Sequence, residues 1–200
     1  MTSLRAGRPD EARELAALLA RAFAGDRVLD WFLRPWSRER ATKLFFAQMV
    51  ADALPHGGVR VDDSFSACAV WLPPDAQPAR GGVFADLANT LWKLRVASPL
   101  RLARLNAVIR TSTEIHPPEP CYYLSFVASL PEVRGRGLAS ALIDETLAVA
   151  DAEGMPAFLE TADAAKVGFY QRFGFELTGQ AQLPFGGPML NLMWREPRPD

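Results

Sequence analysis

Residues 122–139 read YYLSFVASLPEVRGRGLA, and this stretch decides how the rest of the chain is interpreted. Its first part, rich in aromatic and aliphatic side chains, predicts a strand. The Arg134-Gly135-Arg136-Gly137 turn then opens a helix with one apolar face, formed by positions 138, 139, 142, 143, 146, 147 and 150. Amide groups at a helix N-terminus have no internal partner and lie at the positive end of the helix dipole, and glycines let an anion come close. The stretch therefore predicts a phosphate-binding turn.

A second motif follows this helix. Residues 157–161 are an apolar run that predicts another strand, and residues 169–175 read FYQRFGF. The chain here resembles the GNAT (Gcn5-related) N-acetyltransferase superfamily, whose acetyl-CoA motif is Gln/Arg-x-x-Gly-x-Gly/Ala and whose later motif is Phe-Tyr-x-x-x-Gly-Phe. Arg134, Gly137 and Ala139 fill the first motif. Residues 116–124, HPPEPCYYL, are similar to a subgroup that includes puromycin N-acetyltransferase.

The resemblance covers nearly the whole chain and implies its fold. We expect one α/β (α+β) domain over residues 1–200, with a central mixed, mostly antiparallel sheet of about seven strands flanked by helices. The fourth and fifth strands should splay apart. Two helices, at about 83–96 and 100–113, form a long insertion before the fourth strand, and long connections in compact domains are usually functional. We expect this insertion, with residues 28–36, to wall the acceptor pocket.

The resemblance also implies that acetyl-CoA is the acyl donor. Its pyrophosphate should lie on the turn, where Arg134 and Arg136 can add charge-assisted hydrogen bonds. Its pantetheine arm should bond the backbone of the fourth strand in the splay, as an added strand would. The predicted cofactor-binding residues are Phe126, Val127, Ser129, Arg134, Gly135, Arg136, Gly137, Leu138 and Ala139.

Acetyl transfer from a thioester to an amine needs a general acid and a general base. Tyr170, which matches the family's catalytic tyrosine, is expected to protonate the leaving thiolate, since its reference pKa is about 10 against about 8.5 for a thiol; the alternative is an aromatic packing residue. Glu160 is the leading base and His116 the second, although a structural carboxylate and a turn residue remain open for them. Trp31 and Trp71 are expected to line the acceptor pocket.

Composition limits the partners. The net charge of −1 gives no general attraction to nucleic acid or to an anionic membrane. Cys68 and Cys121 lack the spacing of a metal site and require no disulfide, so no metal is expected. No signal peptide or membrane-spanning run is evident, which makes a cytoplasmic location the default. The expected assembly is a monomer or a homodimer.

Other phosphate-binding folds fit the sequence less well. The third glycine position of a dinucleotide-binding fingerprint holds Ser140, and no Gly-x-x-x-x-Gly-Lys-Ser/Thr run occurs. The expected function is acetyl-CoA-dependent transfer to a primary amine, on a small molecule, by direct attack in a ternary complex. Puromycin-like drugs, polyamines, amino acids and protein N-termini stay open as acceptors. The alternative is a non-catalytic acyl-CoA-binding sensor or interaction protein on the same fold, against which Tyr170 argues.

Overall fold

The computed structural model describes residues 3–76 and 91–198. The sheet has seven strands in the order β1-β2-β3-β4-β5-β7-β6, and every neighbouring pair is antiparallel except β4 and β5, which are parallel. The strands are β1 (Leu4–Ala6), β2 (Val59–Asp62), β3 (Ala67–Leu72), β4 (Tyr122–Ser129), β5 (Ala157–Thr161), β6 (Glu176–Gln182) and β7 (Met189–Arg195). The helices are α1 (Ala12–Ala22), α2 (Arg27–Phe32), α3 (Arg38–Ala53), α4 (residues 91–96), α5 (Leu102–Ile115), α6 (Leu138–Ala152) and α7 (Val167–Gln171). The predicted mixed, mostly antiparallel sheet is confirmed.

The two parallel strands separate soon after they begin. β4 pairs with β5 only through Tyr122 with Ala157 and Tyr123 with Phe158. On its other edge, β4 changes register against β3, and Ser125 is the extra residue at this β-bulge. A bulge bends its strand and increases the local twist. The bend accompanies the gap between β4 and β5, and the predicted splay is confirmed.

Helices cover both faces of the sheet. α1 and α3 bury their apolar sides on one face, where Val70 of β3 and Leu105 of α5 join the core. α6 covers the other face and packs on Trp71 and Leu159. Because successive strand residues point to opposite faces, Val70 and Trp71 belong to different cores. The same alternation determines which side chains of β4 and β5 lie on the same face of the sheet.

The insertion differs in part from the prediction. α5 begins at Leu102 and ends at Ile115, two residues beyond the predicted end. The earlier helix, predicted at about 83–96, is helical over residues 91–96, and its first part lies outside the described residues. None of the described helices has the length and apolar character that crossing a bilayer requires.

Helix α3 begins after Ser37, but the serine side chain makes no capping hydrogen bond. Residues 35–37 already form a 3₁₀ turn that leads into the helix, so the chain enters α3 without an extended N-cap. Helix α2, in contrast, has an N-cap at Asp26, whose carboxylate accepts hydrogen bonds from the amides of Val28 and Leu29 at 3.0 Å. This cap fixes the connection between α1 and α2 that borders the cleft described next.

Candidate active site

A cleft of about 540 Å³ lies at the opening between β4 and β5. β4 supplies residues 127–129, the segment after β5 supplies residues 162, 163, 165 and 166, and α7 supplies Phe169 and Tyr170. Arg134 and Ala139 border it at the start of α6. The sequence analysis missed its remaining wall, residues 22–27 of the α1–α2 connection. The only sequence signal there was the helix break at Gly25 and Asp26.

The glycine turn has a backbone conformation that favours glycine. Gly135 and Gly137 both have a φ of 79°, in the left-handed region that favours glycine. Gly137 precedes α6, and no side chain of the described residues caps the first amide groups of this helix. A Cβ at Gly135 or Gly137 would meet no atom of residues 3–76 and 91–198 within 4 Å, apart from the neighbouring residues in the chain. The space before these amides is open, and the exposed side chains of Arg134 and Arg136 flank it. This geometry fits a pyrophosphate.

The side chains of the predicted pantetheine-binding residues of β4 point to opposite faces of the sheet. Val127 and Ser129 line the cleft. The ring of Phe126 packs edge-on against Phe23 and Phe46, with centroids 5.7 and 5.1 Å apart. Phe126 therefore anchors β4 to α1 and α3 through its side chain, and only its backbone is available to a ligand.

Tyr170 borders the cleft from the α6 side. Only 8% of its surface is exposed, and its ring contacts Phe169 and Phe175. Burial, with a further contribution from the Asp163 carboxylate, raises the pKa of Tyr170 to about 12. The phenol is therefore fully protonated at neutral pH and can donate a proton or a hydrogen bond into the cleft.

Glu160 lies on the opposite face of the sheet, in a cluster that the sequence did not predict. Its Oε1 accepts hydrogen bonds from the Tyr123 hydroxyl at 2.7 Å and the Ser112 hydroxyl at 3.4 Å. Its Oε2 is buried and has no hydrogen-bond partner among the described residues. Burial raises the pKa of Glu160 to about 7, although both hydroxyls favour the charged form. The carboxyl group therefore exchanges its proton near neutral pH.

His116 belongs to the same cluster, at the end of α5. Its ring stands edge-on to Tyr123 and Phe158, with centroids 5.3 and 5.7 Å away. Burial lowers the pKa of His116, which keeps the imidazole neutral at neutral pH. Ser112 of α5 and His116, which follows this helix, thus lie near Glu160 on one face of the sheet.

The two tryptophans that were predicted to line the acceptor pocket lie in different parts of the protein. Trp31 of α2 lies beneath α5, where the Arg104 guanidinium is 5.5 Å from its ring centroid. Trp71 is 1% exposed in the α6 core and borders a different cavity. Trp71 lies in the core on the face opposite Glu160, and its expected place in the acceptor pocket stays a prediction.

Comparisons with known proteins agree with this geometry. The model of the acetyltransferase (GNAT) family matches residues 25–175. Peptidyl-lysine N-acetyltransferase YjaB of Salmonella typhimurium is 33% identical over 67 residues, which are 32% of this chain and 45% of that relative, so the match spans less than half of that relative's length.

Two solved structures share the fold over nearly the whole chain. One is histone acetyltransferase HPA2 and related acetyltransferase from Corynebacterium glutamicum, with a TM-score of 0.73, 21% identity, and coverage of 100% of this chain and 99% of that one. The other is a polyamine N-acetyltransferase of Drosophila melanogaster that forms N-acetylagmatine, with a TM-score of 0.66, 16% identity, and coverage of 98% and 100%. At such identities the likeness establishes the fold alone.

Proposed function

Because the chain belongs to the GNAT family of acetyltransferases, we propose that it transfers the acetyl group of acetyl-CoA to a primary amine on a small molecule, by direct attack in a ternary complex. The observation that carries this proposal is the Glu160 carboxyl group. It is half-buried beside the opening between β4 and β5, its buried Oε2 has no hydrogen-bond partner among the described residues, and its pKa is raised to about 7. A general base works best when its pKa is near the operating pH.

The donor site rests on three features of the chain. Acetyl-CoA, when bound, supplies an acetyl thioester. The backbone from Gly135 to Ala139, with Arg134 and Arg136, would hold its pyrophosphate. The β4 backbone at Phe126, Val127 and Ser129 has no β5 partner there and would bond the amides of its pantetheine arm.

The proton-transfer groups stand on opposite faces of the sheet, which suits a reaction that takes place in the opening. Tyr170 packs in the α6 core, whereas Glu160 bonds to Ser112 of α5 on the other face. An acceptor ammonium must lose a proton before its nitrogen can attack, and Glu160 Oε2 would take that proton. Tyr170 Oη would give a proton to the departing thiolate. The two proton transfers would then take place on opposite faces of the sheet.

Several observations favour a small acceptor. The proposed base lies beneath α5 in a half-buried cluster with His116, Tyr123 and Phe158, where a compact amine fits better than a folded protein surface. The similarity of residues 116–124 to the puromycin N-acetyltransferase subgroup and the amine product named for the Drosophila enzyme point the same way. The name of the Salmonella relative favours peptidyl lysine instead. An acetyl-CoA-dependent screen of amines, amino acids and peptides would decide between these classes, and no thiol release with any amine would support the sensor alternative.

We expect Glu160→Gln to lower turnover by about 10²-fold, the scale of a lost general base. In the unchanged protein, activity should rise with pH through about 7 as Glu160 loses its proton. The glutamine variant should lose this limb of the pH profile. Initial rates across the neutral range, with saturating acetyl-CoA, measure both effects.

Glu153→Gln is the matched control, because Glu153 also accepts a tyrosine hydrogen bond at 2.7 Å, from Tyr122, away from the cleft. It should leave the pH profile intact. If Glu160→Gln retains the limb near pH 7, His116 becomes the stronger candidate for the base.

Tyr123 is expected to be a positioning residue that acts through Glu160. Its hydroxyl donates to the carboxylate and so stabilises the charged form. Tyr123→Phe should therefore raise the pKa of Glu160 and move the acidic limb of the pH–rate profile to higher pH. A merely structural role would lower the rate without moving the limb. In a Glu160→Gln background the same substitution should have no effect on the pH dependence.

A further inference from the structure

A second cavity, of about 270 Å³, lies on the sheet face that α6 covers. α6 contributes one wall, β2 and β3 contribute another, and the turn before β2 closes it. The lining residues are His56, Gly57, Gly58, Arg60, Trp71, Pro73, Tyr122, Glu145, Thr146 and Val149. Among the described residues, it shares no lining residue with the cleft between β4 and β5. The proposed reaction therefore leaves this cavity unexplained.

Four side chains on this cavity have buried polar atoms that find no hydrogen-bond partner in the described parts of the chain: Arg60 Nε, Trp71 Nε1, Glu145 Oε2 and Thr146 Oγ1. Trp71 is 1% and Thr146 9% exposed, so bulk water does not hydrate them freely. Arg60 and Glu145 pair with each other through their other polar atoms, Nη2 and Oε1. Buried polar atoms are normally hydrogen-bonded, and a group of exceptions around one cavity calls for an explanation.

Thr146 gives the most direct sign that something else binds there. The hydroxyl of a threonine in a helix commonly donates a hydrogen bond to the backbone carbonyl oxygen four residues earlier. Thr42 does so to Arg38 and Thr113 does so to Ile109, both at 2.8 Å. The hydroxyl of Thr146 makes no such bond. Its hydrogen-bonding capacity is therefore unused among the described residues.

The chemistry of the open atoms defines the ligand. Trp71 Nε1 and Arg60 Nε are donors, which suit a carboxylate, while Glu145 Oε2 is an acceptor, which suits an ammonium group. Arg60 and Glu145 together are neutral, so a zwitterion matches the charge of the site. The volume is at the small end for ligand sites, where the rings of Trp71 and Tyr122 and the side chain of Val149 offer apolar contacts.

We propose that this cavity binds a free α-amino acid with an apolar side chain. The carboxylate accepts from Trp71 Nε1 and Arg60 Nε, the ammonium donates to Glu145 Oε2, and the Thr146 hydroxyl adds one further bond. Gly57 and Gly58 complete the wall without side chains; a Cβ at Gly58 would lie 2.1 Å from the Trp71 carbonyl oxygen, so this wall cannot acquire one. Neither the proposed reaction nor the acetyl-CoA cleft is needed for this binding.

Isothermal titration of the full chain with L-leucine and L-phenylalanine tests the proposal, with acetate and isobutylamine as probes that carry one charge each. We expect one saturable site for an amino acid and much weaker binding of either single-charge probe. Thr146→Val, which removes the open hydroxyl with little change in shape, and Trp71→Phe, which removes the indole N–H, should each weaken binding by roughly tenfold. Thr42→Val, which alters a buried helical threonine in the other core, should not.

Three results would overturn the proposal. If neither amino acid binds at millimolar concentration, ordered water alone satisfies the open atoms. If an amino acid binds but Thr146→Val and Trp71→Phe leave its affinity unchanged, it binds elsewhere. If acetate or isobutylamine binds as tightly as the amino acid, the site does not recognise a zwitterion. Thermal unfolding of Thr146→Val serves as the folding check, since loss of an unsatisfied buried hydroxyl should not destabilise the protein.

Discussion

Replacement of Gly137 by aspartate is expected to abolish acetyl-CoA binding in a protein that still folds. The new side chain would stand in the open space before the first turn of α6, where the proposed pyrophosphate lies. It would add a negative charge where the helix dipole and two arginines favour an anion. The left-handed backbone at this position would cost about 1–2 kcal/mol, which a folded domain can tolerate.

Acetyl-CoA affinity measured by titration calorimetry, with circular dichroism to check folding, tests this expectation. Gly154→Asp is the matched control, because Gly154 is also left-handed, with a φ of 65°, and a Cβ there also meets nothing within 4 Å. It lies just beyond the other end of α6, so it imposes the same backbone strain away from the cleft. Unchanged affinity in folded Gly137→Asp would refute the proposed donor site.

The second large effect is expected from Tyr170→Phe, which should lower turnover by about 10²-fold or more with little change in acetyl-CoA affinity. The hydroxyl is proposed to act when the thiolate departs, so its loss affects the chemical step and not ground-state binding. The raised pKa, about 12, keeps the proton on the phenol across the neutral range. The retained ring should preserve the contacts with Phe169 and Phe175.

Single-turnover rates, which isolate chemistry from product release, are the appropriate measurement. Phe173→Leu is the control for packing, since Phe173 contacts Phe169 at 5.2 Å between ring centroids and carries no hydroxyl. It should have a much smaller effect on the chemical rate. Wild-type single-turnover rates in Tyr170→Phe would mean that the tyrosine serves packing alone.

Local sequence signals predicted the elements around the donor site closely. The observed bounds of β5 agree with the strand predicted at residues 157–161, because an apolar run ends there. The glycine turn that is proposed to bind phosphate could also be recognised locally, since two glycines and the start of a helix lie within a few residues. These features need no knowledge of the remaining chain.

Features that depend on the register between strands could not be predicted from the sequence. Trp71 and Val70 point to opposite faces, and the face of each follows from the pairing of β3 with β4, which contains a bulge at Ser125. The hydrogen bond between Tyr123 and Glu160 joins residues 37 positions apart on two parallel strands. Sequence periodicity predicts that side chains alternate between the two faces along each strand. It does not predict the register in which two strands pair.

The cleft wall at residues 22–27 was missed for a related reason. Gly25 and Asp26 signal only that a helix ends and another begins. Their place beside β4 follows from the packing of α1 on the sheet, where Phe23 contacts Phe126 at 5.7 Å between ring centroids. Tertiary contacts of this kind decide where a connecting segment lies.

The gap between β4 and β5 has a further consequence for how long the folded protein survives. Strand edges without partners are the weak point of a sheet, and they can template unwanted association. The proposed donor would fill the gap in the native state alone, so a concentration of 100 times its dissociation constant would add about 2.7 kcal/mol to the free energy of unfolding. Proteolysis and aggregation would then slow as the acetyl-CoA supply rises, and starvation for acyl donors would shorten the lifetime of the protein itself.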